Sequence, residues 1–285
     1  MFSEQSARQG SDQRTSPRGK GGGPAGEKAK EFVDRMLQCR YEMKYVITES
    51  KAEAIRQFIK PYIQPDRYSK LQRGGWYPIV SLYLDSPDLR LCRETLTGQK
   101  NRFKLRIRSY TDEPDYPRFL EIKRRVNNVI IKSRARIANQ DVEPFLAGLP
   151  LAPQSFKTDI NVLNQFQLYV RSIDARPMVL VRYMRQAFES DSENRVRVTF
   201  ERELCYCVTT KPEVRLGGSG WQVNFLTIGF VILEIKFNGC YPPWLTRMAQ
   251  YLNLWQRPVS KYVTSIQQAS MLKFCAPQLG DVAYG

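Results

Sequence analysis

The chain has 285 residues, with 44 Lys+Arg against 28 Asp+Glu, a net charge of +16 and no histidine. Its length suits one large domain or two small ones around a real hydrophobic core, while the missing histidine excludes Ser-His-Asp and Cys-His catalysis, histidine-held zinc and histidine proton shuttles. So basic a chain implies an anionic partner: nucleic acid, phosphates or an acidic membrane surface.

Residues 1–35 read as a disordered, basic, Gly/Ser-rich tail, because hardly an apolar side chain is there to offset the entropy of ordering. Gly21-Gly22-Gly23-Pro24-Ala25-Gly26 fits G-x-G-x-x-G in letters, but no strand precedes it and Pro24 sits inside it, so it reads as linker. No P-loop sequence occurs. A strand is expected at about 40–48, then a helix opened by the capping box Ser50-Lys51-Ala52-Glu53 and carried by Ile55, Phe58, Ile59 and Tyr62 until Pro61 and Pro65 interrupt. Further helices are expected at about 87–97, 141–148, 159–173, 243–252 and 260–272, with Pro258 separating the last two and strands making up the remainder. The longest apolar stretch, Ile228 to Leu233, is too short to cross a bilayer, so no transmembrane segment is expected. Cys39, Cys92, Cys205, Cys207, Cys240 and Cys275 show no C-x-x-C spacing and read as reduced thiols of a cytoplasmic protein. Residues 276–285 read as a C-terminal tail.

The strands carry the information, because residues i and i+2 of a strand share a face. Arg40, Glu42 and Lys44 alternate with Tyr41, Met43 and Tyr45; Lys104, Arg106 and Arg108 with Phe103, Leu105 and Ile107; Glu121 and Lys123 with Leu120 and Ile122. The pattern returns at Lys132, Arg134 and Arg136, at Tyr183 and Arg185, at Arg195, Arg197, Thr199 and Glu201, and at Glu234 and Lys236. Arg182 falls on the opposite face. One such strand is ordinarily half-buried with its charges in water. Seven of them, dominated by Arg and Lys, imply a closed antiparallel barrel whose basic lumen receives a polyanion and whose apolar faces pack against helices outside. Without an anion, so many like charges would be intolerable.

Eight short motifs follow one another in order: Glu42-Met-Lys-Tyr45, Ser81-Leu-Tyr-Leu-Asp85, Leu105-Arg-Ile-Arg108, Glu121-Ile-Lys123, Tyr183-Met-Arg-Gln-Ala-Phe188, Arg195-Val-Arg-Val-Thr199, Leu233-Glu-Ile-Lys236 and Ser260-Lys-Tyr262. Over about residues 36–272 (a domain set at 36–275) the chain thereby resembles the catalytic domain of the vacuolar transporter chaperone (VTC) polyphosphate polymerases, within the CYTH-like, or triphosphate tunnel metalloenzyme, superfamily. The resemblance implies an α+β fold built on a closed antiparallel eight-stranded β-barrel tunnel with flanking helices. It also implies transfer of the terminal phosphoryl group of ATP to a growing polyphosphate, with Mn²⁺ or Mg²⁺ as cofactor.

Carried over position by position, it implies that Lys44, Arg106, Arg108, Lys123, Arg185, Arg197 and Lys261 grip phosphate oxygens. Tyr183 and Ser260 would add hydroxyl contacts, Lys132 a further cation, and Arg134 and Lys236 complete the substrate-binding set. Glu234 would hold the metal, with Glu42 and Glu121 nearby. Three departures stand out. The first strand reads R-x-E-x-K from Arg40 where the hydrolases and cyclases of the superfamily carry E-x-E-x-K, which favours the polymerase branch. Arg124 and Arg125 stand where VTC enzymes often have Thr-His, and Glu201 where they usually have Asp.

Phosphoryl transfer asks for alignment and positive charge rather than covalent chemistry, so it needs no histidine. The expected partners are ATP and inorganic polyphosphate, with no specific nucleic acid and with peripheral contact to an acidic membrane left open. A triphosphate hydrolase of the same superfamily and a non-catalytic polyphosphate- or nucleic-acid-binding protein stay as alternatives. Against nucleic acid, carboxylates share the basic faces, and exposed base-stacking aromatics look scarce among the arginines. Trp76, Trp221, Trp244 and Trp255 read as packing residues.

Overall fold

The structure, a computed structural model, describes residues 40–127, 129–149, 159–190, 196–239 and 241–271. The two expected tails, the outer limits of the expected domain, Arg195, Cys39, Cys240 and Cys275 lie outside the described residues. In chain order, β1 (Arg40–Thr48) leads into α1 (Glu49–Ile59), then β2 (Gln64–Pro65), α2 (Arg67–Lys70) and β3 (Tyr77–Asp85). After α3 (Arg90–Leu96) come β4 (Arg102–Ser109), β5 (Arg118–Val126) and β6 (Val129–Ile137), then α4 (Val142–Leu146) and α5 (Ile160–Ser172). The long strands β7 (Arg176–Glu189) and β8 (Val196–Val208) are followed by β9 (Gln222–Val223), β10 (Phe230–Asn238), α6 (Pro243–Tyr251) and α7 (Lys261–Met271).

All strand pairs are antiparallel, and eight strands follow the order β1-β10-β8-β7-β3-β4-β5-β6, with β2 added to β7 and β9 to β8. The sheet curves into a half-barrel, and the expected closed barrel is corrected to this open form. One reason is local: the outer edge of β1 is occupied where the segment between α6 and α7 crosses it. Arg257 N donates to Lys44 O at 2.9 Å, and Gln256 forms a bridge with Tyr45. A backbone group already paired cannot also pair with β6. Side chains cross the seam instead, as Lys123 on β5 reaches Glu42 on β1 at 3.0 Å.

The apolar faces of the alternating strands pack outward, as expected. Leu82, Leu105, Ile107, Leu120 and Ile122 meet Leu163, Phe166 and Val170 of α5 on one flank. Tyr45, Val198, Phe200, Leu233 and Ile235 meet Ile55 and Ile59 of α1 and Leu245 and Met248 of α6 on the other. Helix α1 is capped two residues earlier than the sequence suggests. Thr48, rather than Ser50, is its N-cap, with Thr48 Oγ1 accepting from Lys51 N at 3.3 Å, and Glu53 is instead engaged by Arg56 at 2.9 Å.

The third core lies on the concave face. Tyr262, Val263 and Ile266 of α7 pack over Tyr83, Val179, Val181, Leu204 and Tyr206, filling one end of the half-barrel. A bulge makes this packing available. Glu203 takes a left-handed conformation (φ 56°), so two residues of β8 stand opposite Tyr183 and the strand's parity shifts by one. Glu201 therefore faces the concave side and so do Leu204 and Tyr206. Buried Asp85 fixes the helix: it accepts from Tyr262 Oη at 2.5 Å, Leu91 N at 2.8 Å and Cys92 N at 2.9 Å. Burial raises its pKa, and these bonds oppose the rise.

Candidate functional site

The charged halves of the alternating strands share one cavity of about 340 Å³. All fifteen side chains expected from the sequence line it: Lys44, Arg106, Arg108, Lys123, Arg185, Arg197, Lys261, Lys132, Arg134, Tyr183, Ser260, Lys236, Glu234, Glu42 and Glu121. Lys104 joins them, which brings the lining among the described residues to eleven cations and three carboxylates. Arg182 faces outward as expected, donating to Leu216 O and lying over Trp221.

Strand register decides which charges meet. Across β4, β5 and β6, Arg106, Glu121 and Arg134 stand side by side, so Glu121 is flanked by guanidinium groups. Its carboxylate lies 2.6 Å from Arg106, 3.8 Å from Arg108, 2.7 Å from Lys132 and 3.6 Å from Arg134. Burial pushes the Glu121 carboxyl up, but these cations outweigh it and hold it well below the usual carboxylate range. The neighbouring row is Lys104, Lys123 and Lys132, three like charges directly opposite one another. Such a row is destabilising unless something anionic faces it. Glu42 meets Lys123 and Glu121 meets Lys132, whereas Lys104 has a hydroxyl, Ser260 Oγ at 2.8 Å. Burial, then Lys44 and Lys123, bring the Lys104 ammonium down to about 7.

On the opposite wall the rows are balanced. Glu42, Lys236 and Arg197 stand in register, as do Lys44, Glu234 and Thr199. Lys44 lies 3.2 Å from Glu42 and 3.7 Å from Glu234, and Lys236 lies 2.8 Å from Glu234. Burial opposes charge on Lys44, yet Glu234, Glu42 and Glu201 together raise its pKa. Glu201, fully buried, binds both Arg185 and Lys261. Burial pushes Glu201 up, but Lys261 and Arg185 bring it down to about 2. At the centre, Arg108, 4 % exposed, donates to Ser81 Oγ at 3.1 Å and Tyr183 Oη at 3.4 Å, and Arg185 donates to the same Tyr183 oxygen at 3.2 Å.

No group of three or more His, Cys, Asp or Glu side chains converges as a metal site among the described residues. Glu42 and Glu234 share Lys44 and both stay ionised: burial opposes their charge, and Lys44 and Lys236 restore it. Two hard carboxylates suit a hard divalent ion that takes its remaining oxygens from elsewhere. Glu121, by contrast, has its carboxylate enclosed by four cations.

At the α7 end, Ser260 and Lys261 open the helix beside Lys44, whose Nζ donates to Val259 O at 3.1 Å. A second cavity of about 480 Å³ adjoins there and shares Glu42, Lys44, Lys104, Lys123 and Ser260 with the first, adding Arg102, Arg125 and Arg257. At the other end stand Tyr68, Tyr77 and Tyr110 with Arg134 and Arg197. The sequence reading missed Lys104 as a site residue although it shares the face of Arg106 and Arg108. It missed Asp66, which binds Arg197 at 2.7 Å, because a lone carboxylate in a loop carries no pattern. Arg134 lies 3.8 Å over the Phe119 ring and 5.7 Å over that of Tyr110, both half-buried.

Residues 39–270 match the VTC domain family, and the chain belongs to it. No curated protein matches it significantly. Among solved structures, it is similar to an adenylate cyclase-like protein of Bacillus halodurans at 12% identity, with a TM-score of 0.42, covering 79% of this chain and 94% of that one. A Hippeastrum protein named as an adenylyl cyclase and described as having a dominant triphosphatase activity gives 12% identity and a TM-score of 0.42 over 78% of this chain and 92% of that one. A Pyrococcus horikoshii protein gives 10% and 0.40 over 81% and 99%. No helix among the described residues is long and apolar enough to cross a membrane.

Proposed function

We propose that this VTC-family chain is a polyphosphate polymerase, transferring the terminal phosphoryl group of ATP to a polyphosphate chain lying in the basic half-barrel. The observation that carries this is the cross-strand row Lys104, Lys123 and Lys132, whose charge exceeds what Glu42 and Glu121 supply. A linear polyanion running along the concave face satisfies the row in a way that a single phosphate would not. Nucleic acid fits less well, since Glu42, Glu121 and Glu234 sit within the same narrow cavity.

The residues divide the work. Arg106, Arg108 and Arg185 present planar forks to phosphate oxygens, while Lys44, Lys123, Lys132, Lys236 and Lys261 act as point charges. Ser81 and Tyr183 hold Arg108 in place, so its charge is aimed before substrate arrives and little reorganisation accompanies reaction. Holding donor and acceptor phosphates on one line supplies the in-line geometry that transfer requires. Glu42 and Glu234 are the residues that would hold Mn²⁺ or Mg²⁺, which when bound neutralises charge on the phosphate oxygens. Tyr183 adds a hydroxyl at the centre of the run and Ser260 one at the α7 end.

The test mixes purified protein with ATP and Mn²⁺, with and without a short polyphosphate primer, and resolves the products on a gel beside a phosphate assay. A ladder of long chains with matching ADP supports the polymerase. Free phosphate without chains moves the function to a triphosphate hydrolase, and tight polyphosphate binding without turnover leaves a binding module.

A further inference from the structure

The mouth of the half-barrel remote from α7 is walled by rings. Tyr68 and Tyr110 lie nearly parallel, 6° apart in plane with centroids 6.3 Å apart, and Tyr77 flanks Tyr68 at 5.8 Å. Tyr116 and Phe119 buttress Tyr110 edge-on at 6.5 and 5.8 Å. Tyr68 is 41% exposed although it lines the cavity, and the guanidinium of Arg67 lies 4.6 Å over its ring. A large ring kept half in water beside a run of phosphate-binding cations offers a surface to something flat once the exposed Arg67 side chain swings off it.

The ring is also held rigidly relative to the cations. Tyr68 sits on α2, and buried Asp66 caps that helix, accepting from Ser69 N at 2.8 Å. The other oxygen of the same carboxylate accepts from Tyr77 Oη at 3.3 Å and from Arg197 at 2.7 Å. Ser69 Oγ accepts from Ala187 N of β7 at 3.0 Å. One carboxylate thus fixes both the aromatic helix and a cavity arginine, which an accidental surface tyrosine does not require.

We propose that Tyr68, backed by Tyr110, is a nucleobase platform that sets the direction in which a nucleoside triphosphate lies in the cavity. The base rests on the exposed Tyr68 ring, the phosphates run past Arg197 and Arg185 to Arg108, and the terminal phosphate points toward Lys44, Lys104 and Ser260. The adjoining cavity at Arg102, Arg125 and Arg257 then lies on the acceptor side. This rests on the proposed use of ATP, but it is read through binding and not through turnover.

The experiment measures affinities of ATP and of inorganic tripolyphosphate, which lacks a base, by calorimetry for the wild type, Tyr68→Ala and Tyr68→Trp. Base–aromatic stacking predicts that Tyr68→Ala weakens ATP binding on the order of tenfold and leaves tripolyphosphate within about twofold, while Tyr68→Trp restores ATP. An equal loss for both ligands, which is what a collapsed α2 gives, or no loss for either, overturns the platform and leaves the polyphosphate function standing. Failure of the wild type to bind tripolyphosphate removes that function and the platform with it.

Discussion

Lys123 on β5 and Glu42 on β1 hold their charged ends 3.0 Å apart across the open seam of the sheet. The pair does the joining that backbone hydrogen bonds do between the other strands. It is partly exposed, so Lys123→Met is expected to cost under about 1 kcal/mol of stability. Affinity for polyphosphate should fall on the order of tenfold, since one cation of the lysine row is gone. Thermal melts beside a binding titration check both, and a large stability loss with unchanged affinity would contradict the assignment.

Lys104 makes binding pH-dependent. In the empty protein its pKa is about 7, because it is buried and then because Lys44 and Lys123 lie close. A bound phosphate chain favours the charged form, so between pH 7 and the raised bound value a proton is taken up and affinity falls as pH rises, by up to about tenfold per unit. The folded value is depressed below the ordinary lysine value of 10.5, so the unliganded protein gains stability as pH rises from 7 toward 10.5. Lys104→Met should reduce both dependences, and Lys132, which burial also brings down to about 7, should keep the remainder. Calorimetry in buffers of different ionisation enthalpy reads the proton directly.

Glu201→Gln tests the buried triad with Arg185 and Lys261. Removing one charge leaves two cations without their shared partner, and a loss of about 3 to 5 kcal/mol is expected. The wild-type contribution is complete above the ordinary glutamate value of 4.5 and is lost as pH falls toward about 2. Denaturant midpoints for both proteins at pH 7 should differ by that amount, and tripolyphosphate should recover part of it in the variant.

Arg108→Lys separates charge from geometry. The lysine keeps the cation but cannot reach Ser81 and Tyr183 as the guanidinium does. Turnover of ATP is expected to drop at least about tenfold for Arg108→Lys and further for Arg108→Ala. Equal, unimpaired kcat/KM in both would remove Arg108 from the site.

Seven of the eight strands of the main path were legible because their faces differ in chemistry, and the site residues were legible for the same reason. β3 was expected only within the remainder and as the motif Ser81 to Asp85, without a charged face, because Ile79, Leu82 and Leu84 are all buried and α7 covers the concave side. The five longer helices after α1 fell within a few residues of their expected spans. α2 was invisible because four residues hold no period, and with it went the placement of Tyr68 and the partner of Arg197. Barrel closure was overread, because alternation reports which way a face points and not which edges pair. Asp85 and Tyr262 showed up as motif residues, yet their bond to each other depends on a fold that brings β3 and α7 together.

The outer edge of β1 is occupied by residues 256 and 257, and its inner edge by β10. The first described strand therefore finds its partners among the last described elements. During synthesis, β4, β5 and β6 can pair locally while the lysine row still lacks Glu42's finished wall and the cover of α7. A chain stalled at that stage would display a bare cationic sheet, prone to capturing whatever polyanion is abundant around it, so the cavity becomes selective only once β10 and α7 have joined it.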